Sequence, residues 1–507
     1  MTEQNRSAAT QRWALALPSV ASFLVILDML VVATSLTAIQ RKLGSSLAGL
    51  EWTVNAYTLS FAVLLMTAAA LADRLGRRRV FAAGLGVFAA ASAACALSPG
   101  IAALIAARAV QGAGAAMIMP TALALLNGAF PPERRGWAIG IYGSVTGLAA
   151  VLGPVLGGAV TEGLGWQWVV WINVPIALLA IPLVFRRLAE ATGPGGAVDL
   201  LGLALVSVAA LGLVWGLVRG NTAGWRSAET VGALAAGAVA ACCFAWWQRR
   251  APAPMLPPRL YRSRAFSAGN ATIFLLNGSL GVGVFLMPQF QQVVLGQHPL
   301  SAGLRLLPWG IAPFLLAPRA GALADRLGAR WLAVTGLILQ TAGMSWIAAI
   351  STPTVSYLAL VAPMTLVGVG FAGAIPAVTR AATSGTPMAD IGKASGAYST
   401  MRQLGGAFGI AAGGAAFAAG GGYLPKEAFS DGFTAAIAVA AALALAGVAT
   451  ALALPGRARH PAPSAPSAPS LPSAAPAPST PGQGRRRESG VASVTGGCHG
   501  SETVERP

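Results

Sequence analysis

Asp28 lies fifteen residues into the apolar run that begins at Trp13, at a depth where an ionised carboxylate is costly and needs a partner or a water path. Burial disfavours the charged form and a nearby cation favours it, so a site that balances the two can take up and release a proton. Asp28 is the one acid deep within any apolar run of this chain. The matching cation is Arg108, itself inside an apolar run, with Gln111 three residues along and so on the same helix face. Guanidinium keeps its proton in a protein, and Arg108 would therefore act as a fixed charge that biases an acid or a bound anion. The chemistry expected of Asp28 and Arg108 is proton coupling. Bond-making chemistry is not expected, because the three histidines (His298, His460 and His499) are scattered and the four cysteines lack any metal-ligand spacing. Gly368-Val369-Gly370-Phe371-Ala372-Gly373 fits a dinucleotide fingerprint by letter, yet it sits inside an apolar run with no strand before it. No enzyme activity, cofactor or metal is expected.

Such residues need a bilayer around them. Of the 507 residues 55% are apolar and 10% charged, and the mean hydropathy is +0.66; soluble domains carry about 25% charged residues. The 62 Gly and 33 Pro fit lipid-embedded helices, where neighbouring helices satisfy freed backbone groups. The net charge of +18 lies in short clusters between apolar runs rather than on one basic face, which argues against nucleic acid as a partner. A crossing helix needs about 20 apolar residues. Fourteen runs qualify, from 13–37 to 432–454 and including 301–320 and 393–420. Met1 to Gln11 lack the apolar segment of a signal peptide, so the amino terminus is expected in the cytosol. Alternate loops then hold nineteen Lys and Arg on one side against five on the other, the bias of a multi-pass inner-membrane protein with both ends cytosolic. Beyond residue 455 the chain turns to Pro, Ala and Ser, too poor in apolar groups to order itself.

Self-comparison shows a duplication. Ala70–Arg78 recurs as Ala322–Arg330, with eight of nine residues identical at an offset of 252. Gly136–Tyr142 matches Gly392–Tyr398 at an offset of 256 through Gly, Ala, Gly and Tyr. An even number of spans separates the copies, so the repeat is parallel, about an axis along the membrane normal, and suits a site at the interface of two rocking halves. The expected fold is an all-α integral membrane protein of two six-helix bundles plus two inserted helices. Its parts are a cytosolic amino terminus (1–12), a first bundle (13–197), the inserted helices (198–250), a second bundle (251–454) and a disordered cytosolic tail (455–507). The second half has Met364 and Val367 where Arg108 and Gln111 stand, confining the coupling chemistry to the first. Gly143, Gly147, Gly153 and Gly157 recur at four-residue spacings that let helix backbones approach closely, and Pro154 bends that helix.

From residue 13 to about 454 the chain resembles the major facilitator superfamily, in particular its fourteen-span drug:proton antiporters of the EmrB/QacA type. The resemblance rests on the loop Leu71–Arg79, although Ala69 stands where the family has a leading Gly. It rests also on Arg108-Ala109-Val110-Gln111-Gly112-Ala113-Gly114, and on Gly147 with Gly153-Pro154-Val155-Leu156-Gly157-Gly158. Leu27-Asp28 and Trp166 to Pro175 are similar to the fourteen-span branch. The resemblance implies proton-coupled efflux of small, largely hydrophobic drugs or antibiotics, with another small metabolite as the alternative cargo. It makes Gly147, Gly153, Pro154, Gly157 and Gly158 the antiporter motif, and Asp73, Arg74, Gly76, Arg77, Asp325 and Arg326 gating residues. Asn55, Tyr57, Gln111, Trp171 and Asn173 are candidate substrate contacts. A single copy, with protons, a small-molecule substrate and the bilayer as partners, is expected to suffice.

Overall fold

The computed structural model describes residues 3–192, 199–313, 315–316, 328–383 and 391–456, all within one compact unit, Met1–Ala458. Its elements are helical throughout: α1 (Glu3–Leu43), α2 (Leu47–Leu75), α3 (Arg77–Ala96), α4 (Ile101–Ala129), α5 (Pro132–Gly163), α6 (Gln167–Trp171), α7 (Asn173–Arg187) and α8 (Leu200–Ala223). There follow α9 (Ala228–Gln248), α10 (Pro258–Tyr261), α11 (Arg264–Val293), α12 (Pro299–Arg305), α13 (Ala329–Ile350), α14 (Tyr357–Thr383), α15 (Ile391–Gly420) and α16 (Lys426–Leu452). Asp325, Arg326 and the tail from 457 to 507 lie outside the described residues.

Short polar side chains start the helices. The side-chain oxygens of Ser46, Asp199, Ser227 and Ser263 accept from the first free N–H groups of α2, α8, α9 and α11. Gly76 turns α2 into α3 with φ +105°, and Gly328 precedes α13 with φ +91°, both in the region that only glycine enters freely. The two glycines stand 252 residues apart, at the same place in the duplicated letters, and share a positive φ.

Among the described residues, twelve helices are long and apolar enough to cross a membrane, against the fourteen counted from sequence. The difference falls at two runs. The run 301–320 is shared between the end of α12, residues 306–313 and residues outside the described set. The run 393–420 does form one helix, α15, of 30 residues, but Lys393, Arg402, Gln403 and many Gly and Ser dilute its apolar character. The structure is therefore that of an all-helical membrane protein with about twelve candidate spans.

In the first half α1 packs on α5, and α4 packs on α2 and α3; in the second, α11 packs on α15 and α13 on α14. The halves meet along two seams, α5 with α12 and α2 with α15. The hairpin α8–α9 lies beside the second seam, where α8 touches both α2 and α15 through Val214, Val218, Leu59 and Ala407. At the end of the bundle that carries Gly44, one cluster spans both halves and includes Leu36, Ile39, Leu50, Phe290, Phe417 and Phe433. Phe290 and Phe433 stack with ring centres 4.4 Å apart. In lipid the gain from such contacts is packing rather than removal from water. This cluster fills that end, and a cavity between the halves has a wall that runs toward the Gly76 end.

Candidate functional site

Five helices, α1, α2, α3, α4 and α7, supply the cluster around Asp28. Its Oδ2 accepts from Arg108 Nη1 at 2.5 Å, and its Oδ1 accepts from Gln111 Nε2 at 2.9 Å and from Asn173 Nδ2 at 2.7 Å. Arg108 Nη1 also reaches Gln111 Oε1 at 2.7 Å, and Nε donates to the Thr53 carbonyl at 3.2 Å. The guanidinium lies 4.3 Å over the Tyr57 ring, whose hydroxyl donates to the Val25 carbonyl. Gln111 Nε2 is braced in turn by Ser92 Oγ at 2.8 Å. Asp28 is 1% exposed and Arg108 0%. A buried pair so held is costly to break from one side, about 3–5 kcal/mol, because the survivor is left as an uncompensated charge.

A cavity of about 800 Å³ opens on the other face of α1. Leu30, Ala33 and Thr34 of α1 line it, together with Gly147 and Pro154 of α5, Trp309, and Phe371 of α14. No charged side chain is among its lining residues; Thr34 and Ser144 offer hydroxyls. Trp309 adds part of its ring, while its Nε1 is buried without a hydrogen-bond partner among the described residues. The wall extends to Trp137, near the start of α5, and to Pro376, toward the end of α14.

The glycine motif divides between packing and cavity. A Cβ on Gly153 would fall 2.7 Å from Leu30 Cβ, one on Gly157 2.9 Å from Val31 Cα, and one on Gly158 2.3 Å from the Pro299 carbonyl oxygen. These three let α5 touch α1 and the start of α12 backbone to side chain or backbone to backbone. Gly147 differs, with nothing within 4 Å of such a Cβ.

In the loop between α2 and α3, Asp73 Oδ1 accepts from Arg77 Nε and Nη2 at 3.0 and 2.9 Å. Gly76 admits Glu190, whose carboxyl carbon would be 2.7 Å from a Cβ there and whose Oε1 accepts the Arg78 N–H at 2.9 Å. Arg74 is exposed. Of the candidate substrate contacts, Gln111, Asn173 and Tyr57 surround the Asp28–Arg108 pair. Asn55 is buried with its amide unpartnered among the described residues, and Trp171 packs at the rim of the cluster that closes the Gly44 end. None of the five lines the cavity. The sequence reading did not single out Trp309, Phe371 or Trp137, which look like ordinary apolar residues, nor Glu190, whose partners are more than 100 positions away.

The sequence model of the Major Facilitator Superfamily matches residues 19–410 and, in a second placement, 273–495. The chain belongs to the Major Facilitator Superfamily. As a superfamily member it is 36% identical over 398 residues to the tetracenomycin C resistance and export protein of Streptomyces glaucescens, covering 78% of this chain and 73% of that one. It is 35% identical over 399 residues to the multidrug resistance protein Stp of Mycobacterium tuberculosis, covering 78% and 74%. With the cephamycin export protein CmcT of Amycolatopsis lactamdurans it shares 36% over 417 residues, 81% of this chain and 86% of the other. Among solved structures, the peptide transporter POT in complex with sulfate superposes with a TM-score of 0.64 at 17% identity, covering 90% of this chain and 100% of that one. A bacterial homologue of the human lysosomal transporter Spinster gives 0.63 at 15%, covering 87% and 96%. These two likenesses show the superfamily fold.

Proposed function

We propose that this superfamily member exports small, largely hydrophobic compounds, antibiotics among them, across the cytoplasmic membrane in exchange for protons, as a fourteen-span antiporter of the EmrB/QacA type. In this reading α15 and the run 301–320 complete the spans, α8 and α9 are the inserted pair between two six-helix bundles, and both termini are cytosolic. The Gly76 end, with its clustered arginines, then faces the cytosol, and the cavity is open inward. Asp28 carries the proton and Arg108 biases it, while Asp73 with Arg77, and Asp325 with Arg326, make contacts that change as the halves rock.

The observation that carries the reading is the buried Asp28–Arg108 pair on one face of α1 and the uncharged cavity on the other. A cavity of that lining suits a bulky neutral compound. One proton moving through 100 mV releases roughly 2.3 kcal/mol, enough for about a fortyfold cargo gradient. In everted vesicles a neutral fluorescent drug should accumulate uphill when the lumen is acidified, and a protonophore should abolish that. Asp28→Asn should bind the drug yet lose uphill accumulation; uptake at the parental level would reject the assignment.

A further inference from the structure

Outside the Asp28 cluster a second acid is withdrawn from solvent. Glu51, in the second turn of α2 near the Gly44 end, is 2% exposed. From sequence it marks only the rim of a span. The structure buries it in the seam between the halves, against Gly414 of α15, where a Cβ on that glycine would fall 1.9 Å from Glu51 Oε1. The glycine thus provides the space that the carboxyl occupies. Rings of Phe417, Tyr423 and Phe429 pack edge to face and tilted beside it, which keeps the place dry.

No cation among the described residues forms an ion pair with it, and no hydrogen bond reaches its carboxyl from those residues. Around it, Asn55 on its own helix is neutral, and α15 presents Gly414 and apolar residues. The Tyr423 hydroxyl donates to Gln289 Oε1 instead, and burial holds that phenol far above its ordinary range, so it stays neutral. Arg41 and Lys42 at the end of α1, and Lys426, Glu427 and Asp431 on α16, are exposed, while Arg219 on α8 pairs with Glu229. An ionised carboxylate in this seam would lack any counter-charge, a state costing several kcal/mol that protonation avoids.

We propose that Glu51 is a proton-binding latch of the α2–α15 seam: it holds a proton while the seam is closed and yields it to the solution when the seam opens. The closed form then carries one proton more than the open form. Above the ordinary carboxyl range, each unit of rising pH lowers the closed-to-open ratio about tenfold. The latch draws its meaning in the cycle from the export reading, in which the Gly44 end faces outward. An acidic exterior closes the outer seam after cargo has left, which is the return step a proton-driven exporter needs. The proton comes from and returns to the same solution, so the latch sets the pH dependence of that return without adding to the protons exchanged.

The test reads the seam directly. In the full chain in lipid nanodiscs, with native cysteines replaced, spin labels are attached at Leu97→Cys and Leu424→Cys, positions 70% and 80% exposed at the Gly44 end of either half. Raising the pH from 5 to 8 should lower the short-distance fraction, about tenfold per unit while both forms are populated. Glu51→Gln should hold the short distance at every pH. Should that variant insert poorly, Glu51→Leu, equally uncharged, is expected to do the same. Glu427→Gln, which removes an exposed acid at the same end, should keep the parental pH response. A parent that shows no response, or a Glu51→Gln or Glu51→Leu chain that responds like the parent, would overturn the latch, as would loss of the response in Glu427→Gln. Vesicles that fail to exchange drug for protons while the labels still respond would sink the export reading and leave the latch standing.

Discussion

The two seams that join the halves are built from matching parts of the duplication. Leu47, the start of α2, and Pro299, the start of α12, are 252 residues apart, and α5 corresponds to α15 at an offset of 256. Along α5–α12 the backbones approach directly: Gly158 meets Pro299 and Gly303 meets the Pro154 carbonyl, with a Cβ at Gly303 only 2.1 Å from that oxygen, and Glu162 Oε2 accepts the Leu300 N–H at 3.1 Å. The same seam borders the cavity, and no inserted helix packs on it among the described residues. Along α2–α15 the contact runs through polar side chains: Glu51 lies against Gly414, and Thr400 Oγ1 donates to the Ala62 carbonyl at 3.1 Å, with α8 laid over the outside. One ancestral pairing has thus become a smooth wall on one side and a proton-sensitive clasp on the other. Glycine decides the character of both, by letting backbones meet in the first and by making room for a single carboxyl in the second.

Bulk in the first seam should have the largest effect. Gly158→Leu has no space against Pro299, and overpacking of about 1–3 kcal/mol per group should part α5 from α12 and cut export about tenfold or more with insertion intact. Measured export at the parental rate would remove the distinction between the seams. In the second seam, Gly414→Ala should expel the Glu51 carboxyl and lower the closed fraction at acidic pH, by roughly 1–3 kcal/mol, read by the same pair of labels.

The cover over the second seam should yield less. Asp199 caps α8 through the Gly202 N–H and accepts from Trp247 Nε1 and Gln248 Nε2 at the far end of α9, each at 2.7 Å. Burial disfavours its charge, yet the hydrogen bonds from Trp247, Gly202 and Gln248 outweigh this and hold the carboxyl below its ordinary range. Its contribution is therefore complete above about pH 3.9 and is lost as the pH falls through the depressed value. Asp199→Ala should cost about 1–3 kcal/mol in thermal unfolding at neutral pH and nothing once the parent's own carboxyl is protonated. Gly147→Ala should be mildest, since the cavity accepts the added methyl and alanine favours the helix by up to about 1 kcal/mol. A slight gain in melting temperature and a changed order among bulky cargoes should result, and a collapse of export would show that Gly147 is pressed by a neighbour in another state.

Much of the helical plan was legible in the sequence because lipid leaves helices few alternatives: apolar runs and the twice-used Asp-Arg-Leu-Gly loop announce the spans and the repeat. Asp28 and Arg108 stand out because charge within an apolar run is rare, and the structure brings them together. Glu51 was illegible for the opposite reason, since an acid at the first turns of a span reads as wetted, and only the approach of α15 from the other half, some 360 positions on, buries it. The cavity wall was equally hidden, because Trp309 and Phe371 carry no mark that separates them from residues facing lipid. Polar letters near the spans drew attention to Gln111 and Asn173, which the fold uses to hold Asp28.

Because Asp28 and Thr34 look away from one another across the width of a single helix, selection can act on each without disturbing the other. Replacements at Leu30, Ala33 or Thr34 redraw the shape presented to incoming molecules while the ionic partners behind them keep their geometry. A lineage confronted with a new toxin can therefore retailor the front of α1 and leave the buried ion pair at its back untouched.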